Sequence, residues 1–124
     1  MPYTGDGADE LFGGYSFTWV TTDETIWTSK RNALATTMNF CTQKMAQTFG
    51  LISVSPYMEQ SFIDFAVTTS RADCVGDRLI ELAPGDERIM HITGKLCLRE
   101  AFPDSPSAWR RYSKGYPQPN PCFT

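Results

Sequence analysis

The sequence has one histidine, His91, and no Cys-x-x-Cys pair. A lone histidine argues against Ser-His-Asp and Cys-His nucleophile systems, and His91 is expected to be a packed or surface side chain. The four cysteines, Cys41, Cys74, Cys97 and Cys122, do not have zinc-ligand spacing. They are expected as free thiols in a reducing cytosol. Long apolar runs are missing too, so no membrane-spanning helix and no membrane partner are expected. The N-terminus shows neither a basic leader nor an apolar stretch, so no signal peptide is expected and the location reads as cytoplasmic. Eleven basic residues stand against 14 acidic ones, for a net charge of −3. The basic residues are scattered along the chain without a stripe, which argues against nucleic acid as a partner.

What is present suits one domain or part of one. The chain has 124 residues, 41% of them hydrophobic and 13% aromatic, which is enough to support a core. No internal repeat is visible.

The run Thr4-Gly5-Asp6-Gly7-Ala8-Asp9-Glu10-Leu11-Phe12-Gly13-Gly14-Tyr15 stands out. Its glycines let the backbone turn tightly and approach a ligand. Successive N–H groups in such a turn form an anion-binding concavity. The acids Asp6, Asp9 and Glu10 suit a hard cation such as Mg²⁺ bridging to phosphate oxygens. Together these features point to a nucleotide or pyrophosphate site. Each residue has a plainer reading as well. Asp6 serves as an Asx-turn or cap side chain, and Asp9 favours a first helical turn through the helix dipole.

The chain reads as mostly helical. A short helix is expected over 8–12. A cap near Asp23 opens a long helix over 24–49, whose face carries Leu34, Met38, Cys41, Met45 and Phe49, with Gly50 as its stop. Residues 53–55 are extended, and Pro56 opens a helix capped by Ser55 and ending near Thr69, with an apolar stripe of Met58, Phe62, Phe65 and Ala66. Residues 71–87 are a polar stretch with a turn at Pro84-Gly85-Asp86. Thr93 caps a helix through Ala101, which Pro103 stops. A Pro- and Gly-rich flexible tail is expected over 112–124.

The opening run resembles the second signature of the asparagine synthetase family, a Ser/Thr-Gly-Glu/Asp-Gly-Ala/Ser-Asp-Glu-Leu/Val-Phe-Gly-Gly-Tyr pattern. Two later segments are similar to the same family in order and rough spacing. One comprises Phe49-Gly50-Leu51, Ser55-Pro56-Tyr57-Met58-Glu59 and Phe62-Ile63-Asp64-Phe65-Ala66. The other is Gly94-Lys95-Leu96-Cys97-Leu98-Arg99-Glu100-Ala101-Phe102 with Trp109-Arg110. The resemblance covers 4–110.

The resemblance implies a fold class. The chain would be the mainly α, C-terminal helical portion of an α/β adenine-nucleotide α-hydrolase-like (ATP pyrophosphatase) synthetase domain, without its parallel sheet. Residues 1–111 would form that partial domain. The implied activity is that of a ligase of asparagine biosynthesis, in which ATP and aspartate give an aspartyl-adenylate and pyrophosphate, and ammonia, free or derived from glutamine, displaces AMP. The implied cofactors are ATP and Mg²⁺. Thr4, Gly5 and Gly7 would hold the adenylate, Asp9 the Mg²⁺, Asp6 would act beside the reacting carbonyl, and Lys95 would stabilise developing negative charge. Lys95 and Arg99 lie four apart on the expected helix, so they share a face and an anion between them would relieve their repulsion. Read without the resemblance, the same pair is a solvated basic face or is paired with one of the 14 acids.

The sequence departs from the family in two ways. The first signature, Ser-Gly-Gly-x-Asp-Ser, is missing, and its sheet would precede Met1, so a missing N-terminal half or a homo-oligomer is an expected partner. Ile52, Val54 and Cys41 stand where charged residues are usual in the family. The chain is therefore expected to be a fragment or divergent member that is inert alone. The alternative is a non-catalytic helical module that binds a partner through an apolar face.

Overall fold

The computed structural model describes residues 3–111, and the tail expected over 112–124 lies outside them. The architecture is helix-rich with one antiparallel hairpin. Helix α1 spans Ala8–Phe12, as expected. So short a helix leaves most of its carbonyls without internal partners. Local and tertiary donors supply them. The Gly14 N–H donates to Asp9 O at 2.9 Å, Arg31 Nη1 to Leu11 O at 3.1 Å and the Lys95 N–H to Phe12 O at 2.9 Å. The Trp19 indole donates to Gly13 O at 2.7 Å, and Gly13 ends the helix with φ 66. Leu11 and Phe12 are fully buried and anchor the core.

Helix α2 spans Glu24–Thr37, and the Asp23 side chain accepts from the Ile26 N–H at 3.0 Å, which is the expected cap. The long helix over 24–49 is not continuous. It breaks after Thr37, where Met38 turns to ψ 127, and resumes as α3, Thr42–Thr48. The core explains the break. α2 buries Trp27, Arg31 and Ala35, spaced by four, whereas α3 buries nothing and leaves Met45 and Phe49 exposed. The apolar spacing past Met38 had no surface to pack on. Gly50, at φ 69, still closes α3, with its N–H on Gln47 O and the Leu51 N–H on Ala46 O.

Val54 forms a parallel bridge with Tyr3, and the Thr4 N–H donates to Val54 O at 2.8 Å. Pro56–Met58 is a single 3₁₀ turn rather than the start of a helix, and α4 follows at Gln60–Ala66. Ser55 does not cap, because its hydroxyl is bonded to Thr4 Oγ1 at 2.7 Å. α4 buries Ala66, while Phe62 is half-buried, edge-on to Phe12 with ring centroids 5.9 Å apart.

The segment expected as a polar stretch holds more structure. α5, Arg71–Cys74, is a single turn locked by a capping box between Ser70 and Asp73. β1, Gly76–Ile80, pairs antiparallel with β2, Ile89–Thr93, in register Gly76↔Thr93 through Ile80↔Ile89. The expected turn at Pro84-Gly85-Asp86 lies within the hairpin loop, with Gly85 at φ 80. Thr93 therefore ends a strand and caps no helix. Lys95, at φ 56, precedes α6, Leu96–Ala101. Leu11, Phe12, Trp27, Ala35, Ala66, Cys74 and Val75 form the core that joins these elements. Among the described residues, no helix is long and apolar enough to cross a membrane.

Candidate functional site: a cationic cleft beside α1

The exit of α1 and the junction between β2 and α6 touch directly. Gly94 lies against the Gly13 carbonyl, so a Cβ at this position would collide with backbone, and Gly14 is equally close to the Asp9 side chain. Only glycine permits both approaches. The contact carries Lys95 over α1, and its Nζ lies 2.9 Å from Asp9 Oδ1.

That ion pair sits in the wall of a cleft of about 710 Å³, lined by Gly5, Asp9, Lys95, Arg99, Arg110 and Arg111 among others. A smaller polar recess of about 190 Å³, lined by Gly14, Thr93 and Gly94, shares Lys95, Arg99 and Arg111 with it. Four of the chain's 11 basic residues thus face one cleft with one of its 14 acids. They are scattered in sequence and gathered by the fold.

Each cation is held differently. Arg99 donates to Gly94 O at 2.9 Å and to Ala108 O at 2.7 Å, so it ties the segment after α6 to the β2–α6 junction. Burial pulls the Arg99 pKa below the usual guanidinium value, the nearby Asp9 charge opposes this, and Arg111 adds to it. Arg111 lies over the Trp19 ring at 5.3 Å, with Nη1 3.3 Å from His91 Nε2. Arg110 is paired with Glu81 at 3.4 Å. Lys95 is the cation whose counter-charge, Asp9, is itself in the cleft wall.

The residues singled out from the sequence divide into two groups. Gly5, Asp9 and Lys95 meet at the cleft. Thr4, Asp6 and Gly7 do not line it. Thr4 Oγ1 bonds Ser55 and accepts from the Asp6 N–H at 3.4 Å, and Gly7 is buried against Met58 and Tyr57. Glu10 turns to the other side of α1 and accepts from the Tyr15 hydroxyl at 2.9 Å. Burial first, and then this bond, push the Tyr15 pKa up to about 12. The Lys95–Arg99 repulsion is relieved by Asp9 and by backbone carbonyls. The two do not share a helical face, because Lys95 stands outside α6.

Sequence reasoning missed Arg31, which holds α1 against the residues that follow α4. It is buried and donates to Leu11 O, Thr69 Oγ1, Val67 O and Thr69 O. The Trp27-x₃-Arg31-x₃-Ala35 spacing on one helical face was the available signal. A second cavity of about 350 Å³ lies on that side, lined largely by apolar groups that include Phe17, Trp27 and Leu34.

Among the described residues, no group of three His, Cys, Asp or Glu side chains gathers as a metal cage. Asp9 brings one carboxylate to the cleft. That fits Mg²⁺ held mainly by phosphate oxygens and water, which needs only one or two protein carboxylates. In comparisons with known proteins, no family model, no curated protein and no solved structure matches this chain.

Proposed function

We propose that the cleft receives the phosphate end of Mg²⁺-bound ATP, as a divergent or partial member of the asparagine synthetase family would. We further propose that the chain alone does not catalyse adenylation. In that reading the fold is the C-terminal helical portion of the synthetase domain, and the ancestral activity is amide formation from aspartate through an aspartyl-adenylate. The single observation that supports it is the Asp9–Lys95 pair at 2.9 Å, which joins the opening run to the family-like segment 94–102 across one cationic cleft.

The chain's own residues would work as follows. Gly5 leaves the cleft floor open, since nothing lies within 4 Å of where its Cβ would stand. Lys95, released from Asp9, would face phosphate oxygens as a point charge, with Arg111 adding a second from the neighbouring recess. Asp9, freed in the same exchange, would hold Mg²⁺, which when bound offsets phosphate charge. Thr4 and Asp6 would shape the loop through Ser55 rather than touch the nucleotide.

Isothermal titration of the purified chain with Mg²⁺-ATP and with pyrophosphate tests the reading. Saturable binding is expected, weakened at least tenfold in Lys95→Met, with no AMP or pyrophosphate formed when aspartate is added. Failure of either anion to bind would overturn the site, and AMP formation would overturn the inertness.

A second reading, the helical interaction module, draws on a different surface. Met45, Phe49, Leu51 and Ile52 are exposed in one stretch, Phe49 by 76% and Ile52 by 71%. An apolar cluster of this kind marks association surfaces. Nucleotide-independent self-association in sedimentation, abolished by Phe49→Glu, would favour it.

A further inference from the structure

The second cavity shares no lining residue with the cationic cleft or its recess. Its volume of about 350 Å³ falls within the range of small-molecule sites, roughly 300–1,000 Å³. One wall is a single face of α2, where Trp27, Lys30, Leu34 and Thr37 follow at steps of three, four and three. The other comes from the chain between α1 and α2, including Phe17 and Thr21. Much of this wall has no protein to pack on. Leu34 is half-buried and stands outside the core cluster, although its neighbour Ala35 belongs to it. Phe17 stacks on Tyr15 with ring centroids 5.3 Å apart and is otherwise exposed.

The polar atoms of the wall are mostly committed. Glu10 accepts from the Tyr15 hydroxyl, and the Thr18 and Thr37 hydroxyls donate to Tyr15 O and Ala33 O. Arg31 is spent on carbonyls and on Thr69. Two donors are left over. Trp27 is 2% exposed, and its buried indole Nε1 has no hydrogen-bond partner. Orphans of this kind are few in folded chains, and an indole N–H can be satisfied only by an acceptor. The Cζ2 on the same side of that ring lies 3.1 Å from where a Gly13 Cβ would stand, so the N–H side borders Gly13, which also lines the cavity. Lys30 is the other donor. Its Nζ reaches only the neutral Thr21 hydroxyl, at 3.3 Å, and it pairs with no carboxylate among the described residues. An apolar wall with a cation and a spare donor is matched by an apolar molecule that carries an anionic acceptor.

We propose that this cavity binds a small monocarboxylate with an apolar body, its carboxylate on Lys30 and its body against Leu34 and Phe17. Lys30 leaves Thr21 for the stronger, charge-assisted bond to the carboxylate. Trp27 stands three residues earlier on the same helical face, so its N–H is the second donor beside the carboxylate. Medium-chain and aryl-substituted acids share this chemistry. The proposal does not depend on what the cleft binds, and failure of pyrophosphate to bind there would leave it intact.

The test titrates the nitrogen-15-labelled chain with octanoate and, separately, with 3-phenylpropionate, and follows the tryptophan indole N–H resonances. Trp19→Phe and Trp109→Phe identify the Trp27 signal by elimination. A saturable shift of that signal is expected with at least one acid, and which acid acts tells the aliphatic body from the aryl one. Lys30→Met should weaken binding about tenfold, the size expected for one lost bond to a charged group. The matching alcohols, 1-octanol and 3-phenylpropanol, should bind the wild type more weakly than the acids by a similar factor. Leu34→Trp, which fills the cavity, should abolish binding, and Lys95→Met should leave it unchanged. Lys30 is exposed, so its variant decides the question even if Leu34→Trp folds poorly. The proposal is overturned if neither acid saturates the Trp27 shift, if Lys30→Met binds like wild type, or if Lys95→Met removes the binding.

Discussion

Lys95 reaches Asp9 across the contact between Gly94 and the end of α1, with Nζ 2.9 Å from Oδ1 and side-chain exposures of 32% and 40%. A pair this open to water contributes only about 0.2–1 kcal/mol to stability. In the cleft Asp9 neutralises the Lys95 charge, and under the proposed function an incoming anion would take its place. Asp9→Asn and Lys95→Met should therefore lower Tm by only a few degrees, while their effects on anion binding differ in sign. Without Mg²⁺, Asp9→Asn should bind pyrophosphate more tightly than wild type, because Lys95 is no longer engaged. With Mg²⁺, the same variant should lose the metal's enhancement. Lys95→Met should weaken binding in both conditions. Titration calorimetry with and without Mg²⁺ reads all four cases, and equal loss in both Asp9→Asn arms would contradict the exchange.

Arg31 makes the opposite prediction, large in stability and indirect in binding. Its guanidinium serves the carbonyls of Leu11, Val67 and Thr69 from a buried position, and its Cζ lies 5.1 Å over the Trp27 ring. Burial lowers its pKa, yet arginine stays charged at any working pH. Removing it strands several buried acceptors, so Arg31→Met should cost about 3 kcal/mol. At roughly 4 °C per kcal/mol for a domain of this size, Tm should fall by more than about 10 °C. Arg31→Lys should fall nearly as far, because one ammonium cannot span carbonyls on two elements. A lysine variant as stable as wild type would show that charge, not geometry, is what the site requires.

These two residues also mark where the sequence was legible. α1 and its anchors Leu11 and Phe12, the Asp23 cap, the Gly50 stop and the turn around Gly85 are local features, each written in a few adjacent residues. The hairpin was not legible, because β1 reads Gly-Asp-Arg-Leu-Ile and becomes a strand only through its register with Ile89–Thr93. The long helix was over-extended for the same reason. Periodicity at Cys41, Met45 and Phe49 states a face, but only the tertiary core decides whether that face is covered. Gly5, Asp9, Lys95 and its neighbour Arg99 were visible as chemistry, yet the gathering of Arg110 and Arg111 around them follows from the chain turning back after Pro103. Arg31 was hidden because a charged residue on a buried stripe looks like a break in it.

The α5 capping box supplies a pH prediction. The Asp73 carboxylate accepts from the Ser70 N–H at 2.9 Å and from the Ser70 hydroxyl at 3.0 Å, while Ser70 Oγ accepts in turn from the Asp73 N–H at 3.3 Å. The bond from the Ser70 backbone and then the one from its side chain hold the Asp73 pKa below the usual carboxylate value. A pKa lowered by folding stabilises the fold wherever the carboxylate is ionised in both states. That contribution is complete above the unfolded value of about 3.9 and is lost as pH falls through the lower folded value. Asp73→Asn should therefore melt at a lower temperature than wild type at neutral pH, with the difference closing in acid. The carboxylate is exposed, so the gap should be no more than a few degrees. Paired thermal melts from neutral to acid pH provide the check, and a gap that persists unchanged into acid would mean that Asp73 acts through shape and not through its charge.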